Sequence, residues 1–163
     1  MNGIFLLLGS NLGKRENNLK IAAKLLQDKE IEIVGKSDIY ETEPWGKKDQ
    51  PWFLNLVLRI NYPNDPHQLL VDCQETEKQM GRIRLEKWKE RVIDIDILYF
   101  ENRVINSANL KIPHPEIQNR RFTLLPLVDV AAKEEHPVFQ LSQKQLLEKC
   151  EDPLRCHKTA SIL

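Results

Sequence analysis

Arg91-Val92-Ile93-Asp94-Ile95-Asp96-Ile97-Leu98, continuing into Tyr99-Phe100, is the stretch that decides the fold. Its period of two predicts a strand over residues 92–100. Ile93, Ile95 and Ile97 turn to a core, and Asp94 and Asp96 project side by side from the other face. Just upstream, Asn64-Asp65-Pro66 opens a helix, with Asp65 capping the free amides and Pro66 suited to the first turn. Leu69, Leu70, Cys73, Glu77 and Met80 share roughly one face of that helix, and Gly81 ends it.

Further upstream, Leu54, Leu56, Leu58 and Ile60 alternate through a long strand at 52–60. Residues 31–42 read as another long strand of imperfect alternation, broken at Glu43-Pro44-Trp45-Gly46. Leu19, Ala22, Ala23 and Leu26 recur at helical spacing within 14–27, and residues 4–8 form a buried strand ended by Gly9-Ser10-Asn11. Downstream, Glu101-Asn102-Arg103 is a turn leading to Val104-Ile105. A short helical piece at 122–128 and a weaker helix at 142–150 follow. The order β-α-β-β-α-β predicts an α+β ferredoxin-like plait, an antiparallel sheet with helices packed on its faces, plus C-terminal additions. No linker divides the chain, so residues 1–163 are expected to form a single domain.

Lys plus Arg equal Asp plus Glu at 24 each, so no global field draws the molecule to nucleic acid or membrane, and any electrostatic specialisation is local. The apolar run at 4–8 is too short to span a bilayer and lacks the flanks of a signal peptide. Cys73, Cys150 and Cys156 cannot all pair and match no zinc spacing, which suits a reducing cytosol.

Two adjacent carboxylates repel unless a cation lies between them. Magnesium fits Asp94 and Asp96, because it takes one or two carboxylates and completes its shell with water and phosphate oxygens. An edge strand with a wet polar face fits the same pattern. The preceding loop sets five cations, Arg82, Arg84, Lys87, Lys89 and Arg91, against two anions, Glu86 and Glu90, with Trp88 between them. Arginine grips phosphate with two parallel bonds, so Arg82, Arg84 and Arg91 are the stronger phosphate candidates, although a solvated loop has the same composition. His114, held between Pro113 and Pro115, sits on stiffened backbone close to Asn119-Arg120-Arg121-Phe122. An RNA-binding module with the same plait would need a basic surface and an aromatic strand signature that this chain lacks.

These pieces resemble the 6-hydroxymethyl-7,8-dihydropterin pyrophosphokinase family. The likeness runs through Gly9-Ser10-Asn11, Tyr40-Glu41-Thr42-Glu43-Pro44, Gln50-Pro51-Trp52-Phe53-Leu54-Asn55, Gly81-Arg82-Ile83-Arg84, residues 88–98, Pro113-His114-Pro115 and Asn119-Arg120-Arg121-Phe122. The resemblance implies ATP-dependent transfer of pyrophosphate to the hydroxymethyl group of a reduced pterin, releasing AMP. It implies that Asp94 and Asp96 hold two Mg2+ ions and that Arg82 and Arg91 act on the triphosphate. ATP contacts are implied for Gln74, Glu77, Arg84, Trp88, Arg91, Ile97, His114 and Arg120. Phe53 and Phe122 are implied to sandwich the pterin, with Asn55 and the stretch Thr42, Pro44 and Trp45 reading its edge. The implied partners are ATP and the reduced pterin, with no nucleic acid, membrane or obligate protein partner, in the cytoplasm. Lys89-Glu90, Phe53 and Pro115 depart from the residues frequent in that family.

Overall fold

The structure is a computed structural model that describes residues 1–45, 49–81 and 91–159. It contains β1 (Ile4–Ser10), α1 (Arg15–Gln27), β2 (Glu32–Lys36), β3 (Tyr40–Thr42), β4 (Phe53–Asn61), α2 (Pro66–Gln79) and β5 (Asp94–Phe100). The small strands β6 (Ile105–Asn106) and β7 (Lys111–Ile112), a 3-10 turn (Ile117–Asn119), α3 (Arg121–Ala131), α4 (Gln143–Lys149) and β8 (Cys156–Lys158) complete it. The main sheet runs β5-β1-β4-β3-β8, with β2 also on β4, and all its pairings are antiparallel. This is the expected plait.

The helix signals hold in detail. Asp65 accepts from the His67 and Gln68 amides at 2.8 and 3.1 Å, Pro66 occupies the first position, and Gly81 leaves α2 with φ of 84°. That backbone region is costly for any residue with a Cβ.

The single strand expected at 31–42 is two strands. Against β4, Ile33 pairs with Ile60 but Gly35 with Arg59, and Lys36 pairs with Leu58 but Tyr40 with Asn55. One extra residue is inserted at each step, and each insertion flips the inside-outside parity. The imperfect alternation is therefore real, and Val34 at the first bulge is left 46% exposed. A third insertion falls in β5, where Leu6 pairs with Ile97 and Phe5 with Tyr99, so Leu98 is the extra residue.

Leu19, Ala22 and Leu26 of α1 and Leu69 and Cys73 of α2 cover one sheet face, against Leu6, Leu8, Leu56, Leu58, Ile95 and Ile97. Leu124, Leu127 and Ala131 of α3 and Leu146 of α4 cover the other, against Phe5, Leu7, Val57 and Tyr99. Each fully buried leucine contributes about 1.5–3 kcal/mol, so both faces hold the sheet. The second core fills only part of its face. Beyond the first turn of α3, the side chains of β1, β4 and β5 face an open cleft.

Candidate active site

Sheet register assembles the cleft floor. Gly9 pairs with Asn55 on one side and Asp94 on the other, while Leu7 pairs with Val57 and Asp96. Asn55, Gly9 and Asp94 thus form one row across three strands, with Asp96 in the next. The cleft holds about 620 Å³ out to solvent and is lined by Leu7, Gly9, Thr42, Glu43, Trp45, Gln50, Phe53, Asn55, Arg91, Asp94, Asp96, Arg120 and Phe122. Glycine is required in the middle of the row. A Cβ at Gly9 would lie 2.8 Å from Asn55 Oδ1, and Asn55 cannot swing away freely because its Nδ2 donates to Thr42 Oγ1 at 2.8 Å. Thr42 and Asn55 are 2% and 3% exposed, so this pair is a fixed polar edge of the cleft.

The carboxylate end is braced from three sides. Arg91 forms an ion pair with Asp94. Asn11, also buried, donates through Nδ2 to Gln50 Oε1 at 3.0 Å and the Pro51 carbonyl at 3.2 Å. Its Oδ1 accepts from the Arg91 amide at 2.7 Å. Asn11 therefore ties the end of β1 to Arg91 and to the entrance of β4. Behind the strand, the Glu77 carboxylate accepts from the Ile95 amide at 2.8 Å, and Ile95 lies between the two aspartates. Among the described residues β5 is a sheet edge, so that outward amide has no strand partner there, and Glu77 supplies an acceptor.

At the other end, the Trp45 and Phe122 rings meet edge-on with centroids 6.2 Å apart. The Arg120 guanidinium lies 5.7 Å from each ring. Its Nε is the one buried side-chain nitrogen or oxygen without a hydrogen-bond partner among the described residues. An unmet buried donor costs about 1–3 kcal/mol, so this atom is suited to an incoming acceptor. Beyond it, the His114 amide donates to the Leu98 carbonyl, which the β5 bulge turns outward, at 2.9 Å. His114 Nδ1 accepts from the Glu116 amide at 3.2 Å, leaving Nε2 to carry the ring proton. Burial, followed by the Arg120 cation, holds its pKa down to about 4. His114 is therefore a neutral donor near pH 7 rather than a cation.

The cleft brings together Arg91, Asp94, Asp96, Arg120, Thr42, Trp45, Phe53, Asn55 and Phe122 from the expected set. Pro44 is buried beside them without lining the cleft, as Gln74, Glu77 and His114 also stand outside its lining. Ile97 is 5% exposed and packs in the core on the α1–α2 face, opposite the aspartates. Arg82, Arg84 and Trp88 lie outside the described residues. The lining residues Leu7, Gly9, Glu43 and Gln50, and Asn11 behind them, were not singled out for any role from sequence. Gly9 and Asn11 lie within the Gly-Ser-Asn turn, and Glu43 and Gln50 within two of the motifs shared with the family, so Leu7 alone carried no signal. Asp94 and Asp96 present hard oxygen donors to the cleft, the chemistry magnesium selects. Among the described residues no larger cluster of metal-binding side chains competes with them.

The comparisons with known proteins make the chain a transferase of the kinase type. The family model described as 7,8-dihydro-6-hydroxymethylpterin-pyrophosphokinase (HPPK) matches residues 5–132, and the chain belongs to this family. It is 39% identical over 132 residues to the 2-amino-4-hydroxy-6-hydroxymethyldihydropteridine pyrophosphokinase of Methylorubrum extorquens, covering 80% of this chain and 84% of that one. The enzyme of the same name from Aquifex aeolicus is 38% identical over 146 residues, 89% of this chain and 90% of its own. The Folic acid synthesis protein fol1 of Pneumocystis carinii is 38% identical over 91% of this chain, which spans only 20% of that longer protein. Among solved structures, Plasmodium falciparum HPPK-DHPS with pteroate superposes with a TM-score of 0.73 at 20% identity, covering 91% of this chain and 42% of that one. The last of these likenesses concerns the fold alone.

Proposed function

We propose that this enzyme transfers pyrophosphate from ATP to the hydroxymethyl group of 6-hydroxymethyl-7,8-dihydropterin, giving AMP and the pterin diphosphate. The observation that carries the reading is the composition of a single cleft. One end has a carboxylate pair with Arg91, the other has aromatic rings with Arg120 against them, and the polar Thr42–Asn55 edge lines the same cleft.

A flat heterocycle stacks between aromatic faces, and a few fixed polar groups set its orientation. Phe122, Phe53 and Trp45 supply the rings. Asn55 and Thr42, already bonded to each other, present preorganised groups to the pterin edge. Arg120 and Arg91 place guanidinium charge along the path of the triphosphate, and Arg82 and Arg84 are assigned to the same anion. Trp88 is assigned to the ATP contacts. Gln74, His114 and the neighbourhood of Ile97 are assigned to the nucleotide side, where neutral His114 offers a hydrogen bond without adding charge.

Asp94 and Asp96 would hold two magnesium ions, which when bound neutralise phosphate charge and lower the pKa of the pterin hydroxyl. The remaining work of the protein is alignment. Attack on the β-phosphorus needs the hydroxymethyl oxygen in line, and the rigid row Asn55–Gly9–Asp94 fixes the distance from ring edge to carboxylates. We place this activity in one domain, residues 1–163, acting in the cytoplasm without an obligate partner. The free thiols of Cys73, Cys150 and Cys156 suit a reducing compartment.

The test is to combine the protein, magnesium, ATP and the reduced pterin, and to separate the nucleotides. Pterin-dependent AMP, matched by diphosphorylated pterin, is expected. ADP would replace the reading with simple phosphorylation. Neither product from folded protein would end it.

A further inference from the structure

The segment 150–158, beyond α4, touches both walls of the cleft. At its start, the buried Asp152 carboxylate accepts from the Arg121 amide, the first of α3, at 2.9 Å, and from the Leu154 amide at 3.0 Å. Arg121 returns bonds from Nε to the Asp152 carbonyl at 3.2 Å and from its terminal nitrogen to the Cys150 carbonyl at 3.3 Å. A carboxylate at a helix N-terminus meets free amides and the positive end of the dipole, so the tail anchors the turn that carries Arg120 and Phe122.

Further on, the tail becomes β8 and pairs with β3. Just before it, Arg155 embraces Glu43. Its amide donates to Glu43 Oε2 at 2.7 Å, and its Nε and a terminal nitrogen donate to Oε1 at 2.9 and 2.8 Å. The Glu43 amide in turn donates to the Arg155 carbonyl at 3.0 Å. The same guanidinium lies 4.9 Å from the Trp52 ring, and the His157 ring is 5.8 Å from it. Glu43 lines the cleft, and Trp52 adjoins Phe53, which also lines it. Arg155 therefore joins the chain leaving β3 to the chain entering β4, on the aromatic side. Asp94 and Asp96 belong to β5, at the opposite edge of the sheet, and Arg91 lies just before that strand.

We infer that Arg155 is a positioning residue for the heterocyclic substrate, acting through Glu43 and Trp52. This rests on reading the aromatic end of the cleft as the pterin site. The Arg155 side chain is 74% exposed, so its removal opens no core cavity. A solitary ion pair at such exposure contributes little to stability. The consequence of a three-bond grip plus a ring contact is instead fixed geometry in the residues it holds.

The experiment compares Arg155→Ala, Arg155→Lys and the control Lys158→Ala. Lys158 lies three residues further on, at the end of β8, and pairs with Asp38, which does not line the cleft. Two readouts are used: steady-state AMP formation against each substrate, and amide exchange of residues 41–45 and 52–55. Arg155→Ala should raise the KM for pterin about threefold to tenfold, the combined scale of an exposed ion pair and a cation–π contact. It should leave kcat and the KM for ATP unchanged and speed exchange at 41–45. Arg155→Lys should recover part of the effect, and Lys158→Ala should show none. Unchanged pterin KM in Arg155→Ala would overturn the inference, as would an equal rise in Lys158→Ala, which would mark β8 as an edge strand only. If wild-type protein formed no pterin-dependent AMP, the pterin reading would fail by itself. Exchange at 41–45 would then decide whether Arg155 positions Glu43, and unchanged exchange would refute it.

Discussion

Replacing Glu77 by alanine should cost the protein far more than an acid on a helix face normally would. Glu77 is 2% exposed, and its carboxylate accepts from the Ile95 amide at 2.8 Å, where Ile95 is itself 5% exposed. An amide left without an acceptor in a buried position costs about 1–3 kcal/mol, because water cannot reach it. Loss of the buried methylenes adds about 1 kcal/mol, giving about 3 kcal/mol for Glu77→Ala. Glu77→Gln keeps an acceptor oxygen and should cost about 1 kcal/mol. With a urea slope of about 2 kcal/mol/M, the midpoints at neutral pH should fall by about 1.5 M and 0.5 M. Because Ile95 lies between Asp94 and Asp96, Glu77→Ala should also lower kcat in protein shown to be folded. Equal midpoints for the two variants would refute the reasoning, since the acceptor would then not matter. A stabilised Glu77→Ala would show that desolvation of the carboxylate outweighs its bond.

Asp94→Ala and Asp96→Ala should each abolish turnover while far-UV circular dichroism stays that of the wild type; magnesium-dependent turnover retained in both would remove the metal assignment. Phe122→Ala should weaken binding of the pterin at least tenfold more than binding of ATP, on the scale of about 1.4 kcal/mol for a lost ring contact, checked by titration calorimetry. His136 is buried, its Nδ1 accepts from the Val138 and Phe139 amides, and burial, with a smaller push from the N-terminal ammonium, lowers its pKa from 6.5 to about 4. The fold thus favours the neutral ring. Its contribution to stability is complete above about pH 6.5 and is lost as pH falls toward about 4. Urea midpoints between those pH values should decline less steeply in His136→Gln than in wild type, and parallel declines would contradict the assignment.

Periodicity made the plait legible because parity holds along a buried face through β4, as Leu54 to Ile60 shows, and through β5 as far as Ile97, before its bulge at Leu98. It failed at 31–42 for the same reason. Two bulges against β4 change parity twice, and a bulge is visible only when the partner strand is known. The tail was silent for a different reason. β8 is three residues, Cys156-His157-Lys158, whose strand character comes from pairing with β3 rather than from its own pattern.

The sequence alone determined what is written into local spacing: the alternation that sets Asp94 beside Asp96, the Asp65-Pro66 start of α2, and the motifs that mark the family. Tertiary structure decided what depends on residues far apart in the chain. It set Gly9 between Asn55 and Asp94, linked Asn11 to Arg91, gave Glu77 the Ile95 amide, and carried Arg155 to Glu43. Those contacts follow from sheet register and edge pairing. A side chain's neighbours two strands away are fixed by cross-strand hydrogen bonds, not by the residues on either side of it.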